Sequence, residues 1–151
     1  MAELKERLRA DLNAAMRARD QVRLRTLRLA LTSITNEEVA GASARDLTDD
    51  EVLRVLTREA RKRREAAEAF SAAGRSDQAA AERAEGDVLA GYLPAQLSDD
   101  ELAALVDAAI AETGASGPSG LGQVMKTVTP RIAGRADGAR VAAEVRRRLS
   151  S

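Results

Sequence analysis

Apolar residues recur at helical spacing along almost the whole chain, and no stretch of useful length alternates at strand period. Leu4, Leu8, Leu12 and Ala15 mark the stripe of a first helix. Asp20 opens a second, with Leu24, Leu27, Leu31 and Ile34 inward and Gly41 closing it. Thr48-Asp-Asp-Glu51 is a capping-box pattern, in which the Thr hydroxyl accepts from the N3 amide and Glu51 reaches back. The third helix then carries Val52, Leu56, Ala60, Ala67 and Phe70 and stops near Gly74. Ser76 or Asp77 starts a fourth, with Ala81, Ala84, Val88 and Tyr92 facing inward. Arg63 interrupts the third stripe. The expected reading is a stem that snorkels at the seam edge; the alternative is a guanidinium paired with an acid across it.

Pro94 pushes Leu93 out of the helical region, and Ser98-Asp-Asp-Glu101 repeats the capping box. A boundary is expected here. Helix five presents Leu102, Leu105, Val106, Ala109 and Ile110, and residues 114–120 read as a loop. Helix six follows with Leu121, Val124, Met125, Val128 and Ile132. Pro130 withholds a hydrogen bond from the Lys126 carbonyl and should kink or end that helix. Gly134 supplies a left-handed stop, and Asp137 caps a seventh helix that buries Val141, Ala142, Val145 and Leu149. The expected fold is all-α: an N-terminal four-helix domain over residues 1–94 and a C-terminal three-helix bundle over 95–151.

The chemistry open to such a chain is narrow. Aromatics make up 1% of it, and Cys and His are absent. Disulfides, thiolate chemistry, the commonest metal ligand and the commonest general base near neutral pH are thereby removed. No Ser lies at a readable helical spacing from a Lys, so no hydroxyl nucleophile has a base. The triplets Asp49-Asp50-Glu51 and Asp99-Asp100-Glu101 sit in first turns, where carboxylates favour the helix dipole, and nothing nearby completes a metal-ligand set. Gly120-Leu-Gly122 only faintly suggests a phosphate-cradling turn, because no strand precedes it. The expectations are no catalytic residues, no metal, no cofactor and no small-molecule substrate. Met-Ala-Glu-Leu-Lys-Glu at the start lacks an apolar run, and no stretch approaches spanning length, so no membrane partner and a cytoplasmic location are expected.

Charge offers more. The whole chain balances 24 basic against 24 acidic residues, which hides a local asymmetry. From Pro94 to Glu112 every charge is acidic. From Thr113 onward seven basic residues face only Asp137 and Glu144. Lys126, Arg131, Arg135, Arg140, Arg146 and Arg147 are therefore candidate nucleic-acid contacts, with Arg135 close to the amides that open helix seven. Without aromatics to stack bases, binding would read backbone and shape. The same arginines also complement a helix dipole and need no ligand. A second basic run, Arg58 to Arg64, is followed by Glu65 and Glu68 at helical spacing and reads as a solvated face. Presented to an acidic partner, that helix would make the chain a protein–protein adaptor.

Several ordered segments resemble the GatB/YqeY family. They are Asp87-Val-Leu-Ala-Gly-Tyr-Leu-Pro-Ala-Gln-Leu-Ser98, Gly122-Gln-Val-Met125 with Pro130, and Gly134-Arg-Ala-Asp-Gly138. Upstream, Leu27-Arg-Leu-Ala-Leu-Thr-Ser-Ile-Thr-Asn-Glu-Glu38 and Arg63-Arg-Glu-Ala-Ala-Glu-Ala-Phe70 fit the same family. The length resembles its free-standing YqeY-like members. The resemblance implies an all-α fold of four plus three helices, shared with the tail of the B subunit of the glutamine-dependent tRNA amidotransferase. It implies tRNA or a tRNA-dependent enzyme as partner. It also carries a carbon–nitrogen ligase label with glutamine as amide donor, to which no residue here can be assigned. Gln123 stands where family members often have Lys, and Lys126 where Gly is common.

Overall fold

The computed structural model describes residues 2–150. Among them are seven α-helices, one 3-10 turn and no strand. The chain divides into two compact units between Leu93 and Pro94.

The first unit holds α1 (Glu3–Ala18), α2 (Gln21–Glu38), α3 (Asp49–Ala72) and α4 (Ser76–Ala90). Local chemistry sets most of their ends. The Asp20 carboxylate accepts from the Arg23 amide at the start of α2, and Thr48 and Glu51 complete the capping box of α3. Gly74, at φ +75°, turns α3 into α4, with the Arg75 amide donating to the Phe70 carbonyl at 2.8 Å. α2 ends at Glu38, short of the expected Gly41, with Val39 as its C-cap. The core gathers Leu8, Leu27, Ile34, Val52 and Leu56, with Leu47 inserted from the loop before α3. Each buried aliphatic side chain of this size contributes roughly 1.5–3 kcal/mol relative to exposure.

Two expectations fail here, for one reason. Arg63 does not snorkel: its side chain is only 21% exposed, and its guanidinium lies 3.3 Å from Glu85, 3.6 Å from Glu82 and 3.9 Å from Glu59. To supply those carboxylates, α4 is rotated from the expected stripe. Ala81 is exposed, while Ala79, Glu85 and Leu89 are buried; Tyr92 is buried as expected and Val88 packs partly against the core. Glu85 also accepts from Arg25 Nε at 2.8 Å, and Glu59 accepts from Ser33 Oγ at 3.0 Å, so one charged cluster ties α2, α3 and α4 together. α3 and α4 can approach this closely because small residues line the contact: a Cβ on Gly86 would lie 3.7 Å from Arg63 Cβ.

A second buried pair escapes the apolar pattern. Lys5 Nζ bonds both carboxylate oxygens of Glu38, at 2.7 and 2.8 Å, and Glu38 also accepts from the Leu47 amide at 3.3 Å. At the far end of α4, Tyr92 donates to Asp11 and accepts from Arg23 Nη2 at 3.2 Å, with the Arg7 guanidinium 4.7 Å from its ring centre.

The second unit holds α5 (Asp99–Thr113), a 3-10 turn (Pro118–Gly120), α6 (Leu121–Ile132) and α7 (Gly138–Leu149). Ser98 and Glu101 complete the second capping box, and Gly114 ends α5 in the left-handed region. Leu102, Val106, Ala109, Val124, Val128, Val141 and Val145 form the core on the expected faces. α6 runs through Pro130 for two more residues. The left-handed stop begins at Ala133 (φ +50°) and continues at Gly134 (φ +76°). Gly120 is required by packing: a Cβ there would fall 2.7 Å from Ala115 Cβ.

Two measurements check this description. Lys5→Met strands a buried carboxylate and should lower unfolding stability by about 3 kcal/mol in denaturant titration. Adding Glu38→Gln, which keeps an acceptor for the Leu47 amide, should restore part of the loss. Burial first, and the Asp11 carboxylate second, push the Tyr92 phenol up to about 12. Tyr92 is the chain's single tyrosine, so tyrosinate absorbance should titrate near that value in the folded protein and near 10 once unfolded. Its contribution to stability is full below pH 10 and lost as pH rises toward 12.

Candidate nucleic-acid interface

Residues 94–150 contain seven basic and seven acidic side chains. The asymmetry along the chain vanishes in space because the basic residues of α6, α7 and the turn between them meet the acids of α5 and its approach. Arg131 pairs with Glu112, and Arg148 Nη1 lies 2.8 Å from Asp107. Arg140 Nη2 lies 2.8 Å from Asp99, and Arg135 Nη2 3.6 Å from Glu101.

Arg135 and Arg140 are brought together, on a partner the sequence did not suggest. The Leu97 amide donates to the Arg135 carbonyl at 2.8 Å, and Arg135 Nε donates to the Ala95 carbonyl at 3.0 Å. Arg140 Nη1 donates to the Leu97 carbonyl at 2.9 Å. The two guanidiniums thus fasten the extended residues 95–97 beside the start of α7, and Leu97 enters the core at 4% exposure. A backbone segment without helix needs partners for its polar groups, and these arginines supply them. At the opening of α7 the Asp137 carboxylate accepts from the Ala139 amide at 3.4 Å, and the Arg135 side chain is turned toward residues 95–101.

The remaining candidates differ. Arg147 stays 66% exposed although it holds Glu144 at 2.7 Å, and Arg148 holds the same carboxylate at 2.9 Å. Arg147 first, and Arg148 second, keep the Glu144 carboxyl below the usual carboxylate range. Lys126 and Arg146 are exposed, and their side chains bond to nothing among the described residues. In the second basic run, Arg58 pairs with Glu37 across helices at 3.4 Å and Lys62 with Glu59 at 3.3 Å, and Arg61 and Arg64 are engaged as well. In each acidic triplet the third carboxylate caps its helix, while Asp49 accepts from the Leu4 amide and Asp99 holds Arg140. Glu51, held at about 2 by Arg45 and then the Thr48 amide, and Glu101, lowered by the Ser98 amide and hydroxyl, face their own helix starts.

The family model described as Yqey-like protein matches residues 5–149, which takes in both units and every contact just described. The chain belongs to the YqeY-like family. No curated protein matches it. Within this YqeY-like chain no described helix is long and apolar enough to cross a membrane. The matched span includes the clamp on residues 95–97 as well as the exposed cations of α6 and α7. The contacts divide arginines that hold protein partners from those whose side chains stand in water.

That division is measurable. Arg140→Ala leaves the Leu97 carbonyl and Asp99 without their donor and should cost about 1–2 kcal/mol in denaturant unfolding. Arg146→Ala, which breaks no contact, should stay within about 0.5 kcal/mol of the parent.

Proposed function

We propose that this YqeY-like protein is a non-catalytic tRNA-binding accessory module that engages RNA phosphates from the exposed side of its three-helix unit. The carrying observation is that Lys126 and Arg146 are exposed without a bonded partner among the described residues, with Arg147 two-thirds exposed beside Arg146. Cations left uncompensated on a surface of otherwise balanced charge are where a polyanion gains most by displacing counterions. The resemblance to the tail of the tRNA amidotransferase B subunit supports tRNA as the polyanion and the cytoplasm as the setting. Amide transfer falls to the catalytic body of that larger enzyme, and the carbon–nitrogen ligase label is read as inherited from it. Arg135 and Arg140 serve by keeping residues 95–97 in place, and residues 1–94 and 95–151 are taken as separate domains.

Binding to total tRNA should weaken with salt, with a slope in log K against log salt of about −2 to −3, as three phosphate contacts require. Lys126→Ala/Arg146→Ala/Arg147→Ala should reduce affinity at least about tenfold while unfolding at the parental midpoint. A wild-type protein without salt-sensitive binding overturns the reading.

A further inference from the structure

One face of α2 is left uncovered. Gln21, Arg25, Arg28 and Thr32 follow at four, three and four residues, and all are exposed. With Leu24 and Leu29 they line an open groove of about 360 Å³. Leu29 keeps 44% of its surface exposed, and Met16, at the end of α1, keeps 47%. Arg28 Nη2 reaches Met16 Sδ at 3.8 Å, so the methionine borders the same patch.

Charge around this groove is not balanced as it is in the second unit. Between Arg17 and Asn36 there are five arginines and one acid, Asp20, whose carboxylate caps α2. Arg23 is held by Tyr92 and Asp11, and Arg25 by Glu85. Arg17, Arg19 and Arg28 have no carboxylate partner among the described residues. The result is an aliphatic strip with the uncompensated Arg28 in its lining, and Arg17 and Arg19 next to Met16 along the chain.

We infer that this groove docks an acidic amphipathic helix of a partner protein. Leucine-type side chains of such a helix would cover Leu29, Leu24 and Met16, and carboxylates on its flanks would meet Arg17, Arg19 and Arg28. Methionine adapts its shape to an incoming side chain, which suits a docking edge. Neither aromatic residue of the chain lines the groove, so it offers no stacking platform for RNA bases. The groove asks for acidic residues beside an apolar stripe, which a uniformly charged polyanion does not present. The site is distinct from Lys126, Arg146 and Arg147 and stands whether or not those bind tRNA.

The test uses the full chain and three labelled helical peptides about five turns long. One carries leucines at i, i+4 and i+7 flanked by glutamates; in the second, lysines replace the glutamates; in the third, alanines replace the leucines. The acidic amphipathic peptide should bind at least about tenfold tighter than either control by fluorescence anisotropy. Leu29→Glu and Arg28→Glu should each remove most of that preference with helix content unchanged, since both side chains are exposed. Lys126→Ala/Arg146→Ala/Arg147→Ala should leave it intact. Absence of binding, or equal binding of the three peptides, overturns the inference. So does self-association that Leu29→Glu abolishes, which would assign the groove to a second copy. Displacement of tRNA by Arg28→Glu but not by Leu29→Glu would assign it to RNA and overturn it equally.

Discussion

The first unit depends on a charge that cannot be left alone. Arg63 lies in the contact between α3 and α4, where Gly86 lets the backbones come close and about four-fifths of its large side chain is shielded from water. An unpaired guanidinium there would be very costly, so carboxylates must face it. Glu82 and Glu85 come from α4 and Glu59 from its own helix; Glu85 then takes Arg25, and Glu59 takes Ser33, both from α2. Sliding α4 by one turn would strand the guanidinium. The cluster therefore sets the register of three helices whose small side chains would otherwise tolerate several packings.

The second unit uses charge differently. Its ion pairs lie near the surface, where each contributes at most about 1 kcal/mol, and their main effect is on the field. Acidic α5 packed beside basic α6 and α7 cancels the polarity visible along the chain and leaves isolated cations in place of a continuous basic face. Arg135 and Arg140 do more than cancel charge, because their donors satisfy backbone carbonyls of a segment with no helix partners of its own. In the first unit, Asp20 is committed to the cap of α2, Asp11 to Tyr92 and Arg23, and Glu85 to Arg25 and Arg63.

Helix starts were legible because the contacts that make them span three residues. Thr48 with Glu51, Ser98 with Glu101, and Asp20 with the Arg23 amide all formed as spacing required. The faces of α5, α6 and α7 were legible because their buried positions are aliphatic. The face of α4 was read only in part, right at Val88 and Tyr92 but not at Ala81, because Glu82 and Glu85 turn inward there and hydrophobic periodicity counts a carboxylate as exposed. The Lys5–Glu38 pair was hidden from the apolar pattern for the same reason, across 33 positions. Of the six candidate binding residues, their basic character was readable; which of them were already committed was not.

The sequence by itself determined an all-helical chain, where its helices begin, and which aliphatic side chains they bury, since these follow from the 3.6-residue period and from contacts within one turn. Only the tertiary structure decided which charges are free. Arg140 and Asp99 are 41 residues apart, and whether they meet depends on how α5 and α7 pack. A guanidinium held by a carboxylate and a carbonyl is part of the fold, whereas one left in water is available to a ligand, and that difference is one of distance in space.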